Sequence, residues 1–269
     1  PKNWGSLQSW ADGSWRSYAE GRTGTLSRTL GAATLSGAGT VSSGGGSTIN
    51  AASAAYADVL AAYNAANAGD TVQIPAGSAT WASTLTVTKA VKIRGSGRSA
   101  AGTVINPNTG AGPAFQLVSP VSGIQSVSNL RFTGGGTTNY GGVCIGGGGL
   151  RSRVHEIDFR ITATADWPVR WNANGGCIDQ CLFIGTVGIW MSGPGYSAWL
   201  GDLDLGSEAW LFVEDCTIDC SAGGYQPFLD NNAGGKFVAR HNVLRHAYIE
   251  THDRARSGLA SGRAIEIYE

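Results

Sequence analysis

The chain has 269 residues with 41 glycines and only 14% charged side chains, and its 19 basic residues balance its 19 acidic ones. No basic excess supports nucleic-acid binding, and no apolar run approaches the ~20 residues that cross a bilayer. A hydrophobic share of 42% with nine tryptophans argues against disorder, and glycine disfavours long helices, so a turn-rich β protein is predicted.

Residues 1–48 differ in composition from the rest of the chain. Trp4, Trp10 and Trp15 recur among Gly, Ser and Asp, and a short hairpin pattern and a Gly/Ser linker follow. The segment is so poor in other apolar side chains that the tryptophans must pack on the main domain or on a partner chain. We therefore predict an extended N-terminal arm or docking segment over 1–48 and one domain over 49–269.

A helix is predicted at residues 53–67, at the start of that domain. Tyr56, Val59, Leu60 and Tyr63 recur at i, i+3, i+4 and i+7, which places them on one apolar stripe. The hydrophobic period then changes to two, which predicts short strands at 71–75, 84–88 and 91–94.

A repeat from residue 124 onward decides the predicted fold. Five segments share an inward-type residue, a spacer and a larger apolar residue: 130–132, 157–159, 181–183, 216–218 and 242–244. Their last members are 27, 24, 35 and 26 residues apart, and a second short strand follows each at 142–145, 169–171, 188–190, 228–230 and 248–250. Such a period predicts a solenoid whose turns stack ~4.8 Å apart. The predicted inward ladder runs through Leu130, Ile157, Cys181, Cys216 and Asn242.

Residues 65–77, Ala-Ala-Asn-Ala-Gly-Asp-Thr-Val-Gln-Ile-Pro-Ala-Gly, follow an Ala-rich helix and resemble the opening of β-helix proteins of the pectate-lyase-like superfamily. The resemblance covers about residues 50–269. It implies an all-β, right-handed parallel β-helix with an N-terminal capping α-helix. It does not specify a function, because the superfamily includes lyases, glycoside hydrolases, phage tailspikes, adhesins and structural repeats. The polygalacturonase signature is missing and the Ca²⁺ and Arg constellation of pectate lyases is not matched, so no catalytic role is carried over.

The first candidate site is the outward face of the second strand of each turn. If the aliphatic residues of these strands point inward, Trp190, Asp230, Glu250, His252 and Glu266 point outward. Carboxylates one turn apart would be ~5 Å apart, as in retaining glycosidases, and those two turns apart ~10 Å, close to the inverting range. The carboxylates are therefore candidate general acids and bases. The alternative is an ordinary solvated face.

Arg245 and Arg254 lie close in sequence to His252. A uronate lyase needs a cation that neutralises the substrate carboxylate and a base that removes the α-proton. These arginines and His252 can fill those roles, so both arginines join Trp190 as candidate substrate-binding residues.

The longest repeat interval carries its extra residues within 193–210. Tyr196, Trp199 and Trp210 offer flat apolar faces suited to sugar rings, or else they cover the side of the solenoid or contact a neighbouring subunit. Asp202 and Asp204, in Asp-x-Asp-x-Gly, are candidate Ca²⁺ ligands, although the full calcium-loop pattern is missing. No other cofactor is predicted.

Five cysteines leave at least one thiol unpaired in a monomer, and the absence of a C-x-x-C pair disfavours a zinc site. Cys181 and Cys216 are interpreted as stacked core residues, because free cysteine behaves as a small hydrophobe.

Residues 263–269 have the pattern of a core strand and not of a cap. An open solenoid end invites association. We therefore expect the β-helix to continue past residue 269 or another chain to cover it, and a homo-oligomer or larger assembly to form through the arm and this end.

Three functions fit these features. The preferred one is a surface-exposed β-helix that recognises, or also cleaves, polysaccharide in an attachment structure such as a phage spike or secreted adhesin. This implies an extracellular or virion-surface location. The alternatives are a secreted polysaccharide lyase or glycoside hydrolase, and a non-catalytic structural subunit of a fibre or virion shell.

Overall fold

The computed structural model describes residues 46–110, 112–134, 144–161, 167–185, 188–193, 202–205, 207–222, 226–251 and 262–268. Within these ranges the chain forms one α-helix, α1 (Tyr56–Ala65), and a succession of short strands that pair in parallel to make three sheets. Residues 1–45 of the predicted arm lie outside the described residues.

Sheet 1 has nine strands in the order β1 (Thr48–Asn50), β2 (Thr71–Gln73), β5 (Lys92–Arg94), β8 (Gln125–Ser128), β11 (Ser152–His155), β14 (Cys177–Asp179), β17 (Leu211–Glu214), β20 (Lys236–Arg240) and β23 (Ala264–Tyr268). Sheet 2 has seven, which are β4 (Leu85–Val87), β7 (Phe115–Val118), β10 (Ile145–Gly148), β13 (Val169–Trp171), β16 (Ile189–Ser192), β19 (Gln226–Asn232) and β22 (Ala247–Thr251).

Sheet 3 also has seven strands, in the order β3 (Gly77–Trp81), β6 (Thr103–Pro107), β9 (Arg131–Gly134), β12 (Asp158–Ile161), β15 (Leu182–Gly185), β18 (Thr217–Asp219) and β21 (Val243–Arg245). From β5 to β22 the chain visits sheets 1, 3 and 2 in the same order in every turn. Each turn thus contributes one strand to each sheet, which confirms the predicted all-β parallel β-helix.

The aligned apolar positions of the repeat form a ladder inside sheet 3. Phe132, Phe159, Phe183, Ile218 and Leu244 are register neighbours on successive strands. The first three rings stack, with centroids 5.5 Å and then 4.7 Å apart and planes within 13° of parallel. This alignment confirms the repeat that was read from the sequence.

The predicted inward ladder stands next to the phenylalanine ladder. Its first four members are buried: Leu130, Ile157, Cys181 and Cys216. At the fifth position the Asn242 side chain accepts a hydrogen bond from the Cys216 amide and donates one to the Val213 carbonyl, each at 2.9 Å. The asparagine therefore satisfies backbone groups of the preceding turn, as expected for this residue type at a turn.

Helix α1 covers the first turn of the solenoid and is shorter than the predicted helix. It contacts β1, β2 and β3, and its own residues Val59 and Tyr63 are buried. Tyr56 packs edge-on against the fully buried Trp81, whose indole N–H donates to the Ala54 carbonyl at 2.9 Å. Capping by this helix protects apolar residues of the first turn that no further turn covers.

The corner between sheets 1 and 3 has the same backbone conformation in five successive turns. A non-glycine residue with φ between 52° and 56° stands before each member of the inward ladder; this corner column consists of Asn129, Glu156, Gln180, Asp215 and His241. Left-handed backbone is unfavourable for most L-residues, and here a single such residue separates the strand of sheet 1 from the ladder residue that precedes the strand of sheet 3. The corner thus displays one polar side chain per turn.

Candidate functional site

Three of the predicted site residues and one further residue form one line on the outer face of sheet 2. Arg170, Trp190, Asp230 and Glu250 are register neighbours on β13, β16, β19 and β22, and we call them the sheet 2 column. The alternating residues of these strands are buried in the core, which directs the column outward. The fold thus places Trp190, Asp230 and Glu250 at one register position of successive strands, although Asp230 is buried and not solvated as the sequence prediction expected.

The column changes in burial and charge along its length. The Arg170 guanidinium lies over the Trp190 ring, 5.3 Å from its centroid, which is cation–π geometry. Trp190 and Glu250 are half-buried, whereas Asp230 between them is 4% exposed. A ligand on this face would meet the indole of Trp190 and the carboxylate of Glu250, with the Asp230 carboxylate set deeper between them.

Two other predicted residues lie on different sheets. Glu266 belongs to β23 and pairs with Val238 of β20 in sheet 1, so the prediction that it extends the sheet 2 column is wrong. The strand pattern at 264–268 was correct, but the sequence does not show which sheet a strand joins. Arg245 lies on β21 of sheet 3, where its guanidinium is 3.7 Å from the Asp219 carboxylate.

The long turn gives Trp210 and Asp204 structural roles. Trp210 is fully buried and donates its indole N–H to the Leu203 carbonyl at 2.9 Å, so its prediction as an exposed sugar platform is wrong. The buried Lys236 ammonium lies 5.9 Å from the Trp210 ring centroid and 3.4 Å from the Asp204 carboxylate. A lysine at this position opposes binding of a metal cation by Asp204.

Metal binding finds no support in the part of the chain that is described. Asp202 accepts a hydrogen bond from Arg263 through its backbone carbonyl, at 3.0 Å. Across the described ranges, no group of three or more His, Cys, Asp or Glu side chains is arranged to hold a metal ion. The remaining predicted site residues, His252, Tyr196, Trp199 and Arg254, lie outside the described residues.

A second set of charged residues lies on the outer face of sheet 1. Arg153 makes a two-pronged ion pair with Asp179, at 2.9 and 2.7 Å, across neighbouring strands. One turn further along, Glu214 pairs with Arg240 at 2.7 Å. The Asp179 side chain is 8% exposed, so this ion pair is largely shielded from water.

Burial shifts several pKa values in this sheet 1 cluster. It raises the pKa of the Glu214 carboxyl, and the neighbouring Arg240 only partly offsets that rise. It also lowers the pKa of His155, with Arg153 acting in the same direction. Burial raises the pKa of the Cys177 thiol well above its usual range, so this cysteine is not a reactive thiolate.

The cysteines are core residues, as the sequence analysis proposed for two of them. All five are free and buried. Cys216 directs its thiol to the Glu214 carbonyl at 3.3 Å, and burial raises the pKa of that thiol well above the usual value. These groups stabilise the interior and supply no nucleophile.

A groove of about 630 Å³ runs along the corner between sheets 1 and 3. Its floor is one register column of sheet 3: Arg131, Asp158, Leu182 and Thr217. One wall is formed by Glu156, Gln180 and Asp215 of the corner column, and Arg98 and Ser99 of the β5–β6 connection also line it. We call this feature the corner groove.

Arginine contacts hold the corner groove together. Arg98 donates to the Gln180 carbonyl at 3.0 Å, although the two residues are 82 positions apart in the sequence. The Arg98 carbonyl accepts from Arg131 at 3.1 Å, and the buried Asp158 carboxylate binds both Arg131 and Arg160 at 2.7 Å. The β5–β6 connection is thus fastened along several turns.

Sequence reasoning missed the corner groove, although the repeat contained its signal. Its floor residues are the spacers of the aligned triplets, and its wall residues stand directly before those triplets. Spacers point away from the core when their neighbours point inward. The contribution of Arg98 has no such signal, because its connection reaches the groove through long-range contacts.

No protein-family model matches this chain, and a search of curated proteins finds no match either. None of the described helical segments has the length and apolar character needed to span a membrane. Function must therefore be argued from the sheet 2 column and the corner groove.

Proposed function

We propose that this chain recognises polysaccharide along the outer face of sheet 2. The observation that carries the proposal is the register of the sheet 2 column, in which the Arg170–Trp190 stack is followed directly by Asp230 and Glu250. Sugars present apolar C–H faces and hydroxyl donors. An indole surface and carboxylate acceptors at successive turns match both features.

The setting of that function is part of the same proposal. A neutral, glycine-rich and aromatic β-helix suits a surface-exposed attachment structure, such as a phage spike or secreted adhesin, at an extracellular or virion-surface location. We also propose membership of the pectate-lyase-like superfamily. This is supported by the helix that precedes the first turn and by the segment at 65–77.

Binding to a polysaccharide panel, followed by calorimetry with the best oligosaccharide, tests the proposal. Trp190→Ala should weaken binding about tenfold or more, and Tyr268→Ala, which removes an exposed aromatic ring from sheet 1, is the matched control. Glu250→Gln keeps the side-chain volume, removes the negative charge and should weaken binding. Equal affinities for wild type, Trp190→Ala and Glu250→Gln would rule out the sheet 2 column.

Cleavage of the bound polysaccharide is a second candidate function, favoured by the pairing of Asp230 with Glu250. The spacing of ~4.8 Å between neighbouring strands is similar to the carboxylate separation of ~5–5.5 Å in retaining glycosidases, which supports this candidate. Reducing ends or unsaturated products should accumulate with wild type and disappear with Glu250→Gln. Product formation that Glu250→Gln leaves unchanged would exclude this pair.

A third candidate is a structural subunit, in which another chain would pair with strands β21, β22 and β23. Val243, Leu244 and Ile267 are 49%, 38% and 64% exposed at this edge. Apolar edge strands pair readily with another chain. Leu244→Lys with Ile267→Lys should lower the mass measured in solution, whereas Val121→Lys, at an exposed apolar residue away from this edge, should not.

A further inference from the structure

The corner groove is a linear surface that spans several turns of the solenoid. Its floor and its corner wall each contribute one side chain per turn, at a strand spacing of ~4.8 Å. Its volume of about 630 Å³ lies within the range of sites that bind small and oligomeric ligands. A ligand that fits it must be extended and must offer polar groups at regular intervals.

Charges alternate along the corner wall. Glu156 and Asp215 present exposed carboxylates two turns apart. Between them the Arg98 guanidinium is held at the turn of Gln180, whose carbonyl it binds at 3.0 Å. A guanidinium has five N–H donors, more than that contact uses, so it can also bind an anionic group in the groove.

This alternation discriminates between classes of ligand. A polyphosphate or nucleic acid would be repelled by Glu156 and Asp215. A basic peptide would be repelled by Arg98 and Arg131. A carboxylate in the centre, with hydroxyl donors on both sides, complements all of these groups.

We propose that the corner groove binds an acidic oligosaccharide, with a sugar carboxylate on Arg98 and flanking hydroxyls donating to Glu156 and Asp215. Thr217 and Leu182 on the floor supply a hydroxyl and an apolar contact. This site shares no residue with the sheet 2 column, and it can be present whether or not that column binds glycan.

Calorimetry with uronate oligosaccharides and their carboxyl-reduced, neutral counterparts tests this site. Wild type should bind the acidic oligomers more tightly. Arg98→Gln should weaken acidic binding about ten- to a hundredfold and leave the neutral oligomers little affected. Arg151→Gln, which removes an exposed arginine outside the groove, should leave both affinities unchanged. Asp215→Asn should weaken the binding of both the acidic and the neutral oligomers, because both carry hydroxyl donors.

A second, independent variant covers the case in which Arg98→Gln disturbs the β5–β6 connection. Thr217→Trp fills the groove floor without removing a charge, and it should abolish binding in the groove. Trp190→Ala should leave binding in the corner groove intact, which separates this proposal from the function proposed for sheet 2. The proposal is overturned if wild type binds no uronate oligomer, or if Thr217→Trp and Arg98→Gln both bind like wild type.

Discussion

The rings of Phe159 and Phe183 lie 4.7 Å apart and within 13° of parallel, on neighbouring turns of the solenoid. Both side chains are 1% exposed, and Phe132 stacks on the far side of Phe159. The stack joins three turns into one core, so its central ring, that of Phe159, should contribute most to the stability of the fold.

Phe159→Ala is expected to lower the free energy of unfolding by about 3–5 kcal/mol, because it leaves a cavity between two rings that cannot close. Ile184→Ala is the comparison, since Ile184 is a half-buried, outward-facing residue of the adjacent strand. Urea denaturation followed by circular dichroism measures both. Equal losses for the two variants would contradict a core built on this ladder.

The phenylalanine ladder shows what a sequence can reveal in this fold. Apolar positions that recur at about one turn predicted both the ladder and the common register of Trp190, Asp230 and Glu250, because stacking converts sequence period into spatial register. The positions of Glu266 and Trp210 were not predictable in the same way. The sheet that a strand joins, and the direction of a loop tryptophan, depend on turn lengths and long-range packing.

Gln180 occupies left-handed backbone at φ 53°. Gln180→Gly should stabilise the fold by about 0.5–1 kcal/mol, since relief of the left-handed strain exceeds the entropy cost of glycine. Gln116→Gly, in the extended strand β7, should instead destabilise it by about 1 kcal/mol. Thermal or chemical unfolding should show that the change in the free energy of unfolding has opposite signs for these two substitutions. The same sign for both would contradict the left-handed corner geometry.

Asp179 accepts two hydrogen bonds from Arg153 in a setting that excludes most water. Asp179→Ala should cost about 3 kcal/mol of stability, because it leaves the arginine half-buried without its carboxylate. Arg245→Ala removes the 64% exposed partner of Asp219, which lies 3.7 Å away, and should give no measurable change. Similar melting temperatures for the two variants would show that the Arg153 pair contributes little.

His155 should make stability sensitive to mild acid. Burial and Arg153 lower its pKa below the ordinary 6.5, against the opposing effect of Asp179 and Glu156. A lowered pKa means that the folded state favours neutral imidazole, so stability is full above pH 6.5 and falls as the pH drops below it. The free energy of unfolding should therefore decrease less between about pH 7 and pH 5 in His155→Gln than in wild type. Parallel curves would exclude His155 as the source.

The most direct test of polysaccharide recognition on sheet 2 is a crystal structure of the Thr217→Trp variant, whose corner groove is filled, with the oligosaccharide that binds this variant most tightly. We predict sugar rings along the outer face of sheet 2, with an apolar face against Trp190 and a hydroxyl hydrogen-bonded to Glu250. A saccharide bound only elsewhere, with the Trp190–Asp230–Glu250 line in contact with solvent alone, would contradict the account.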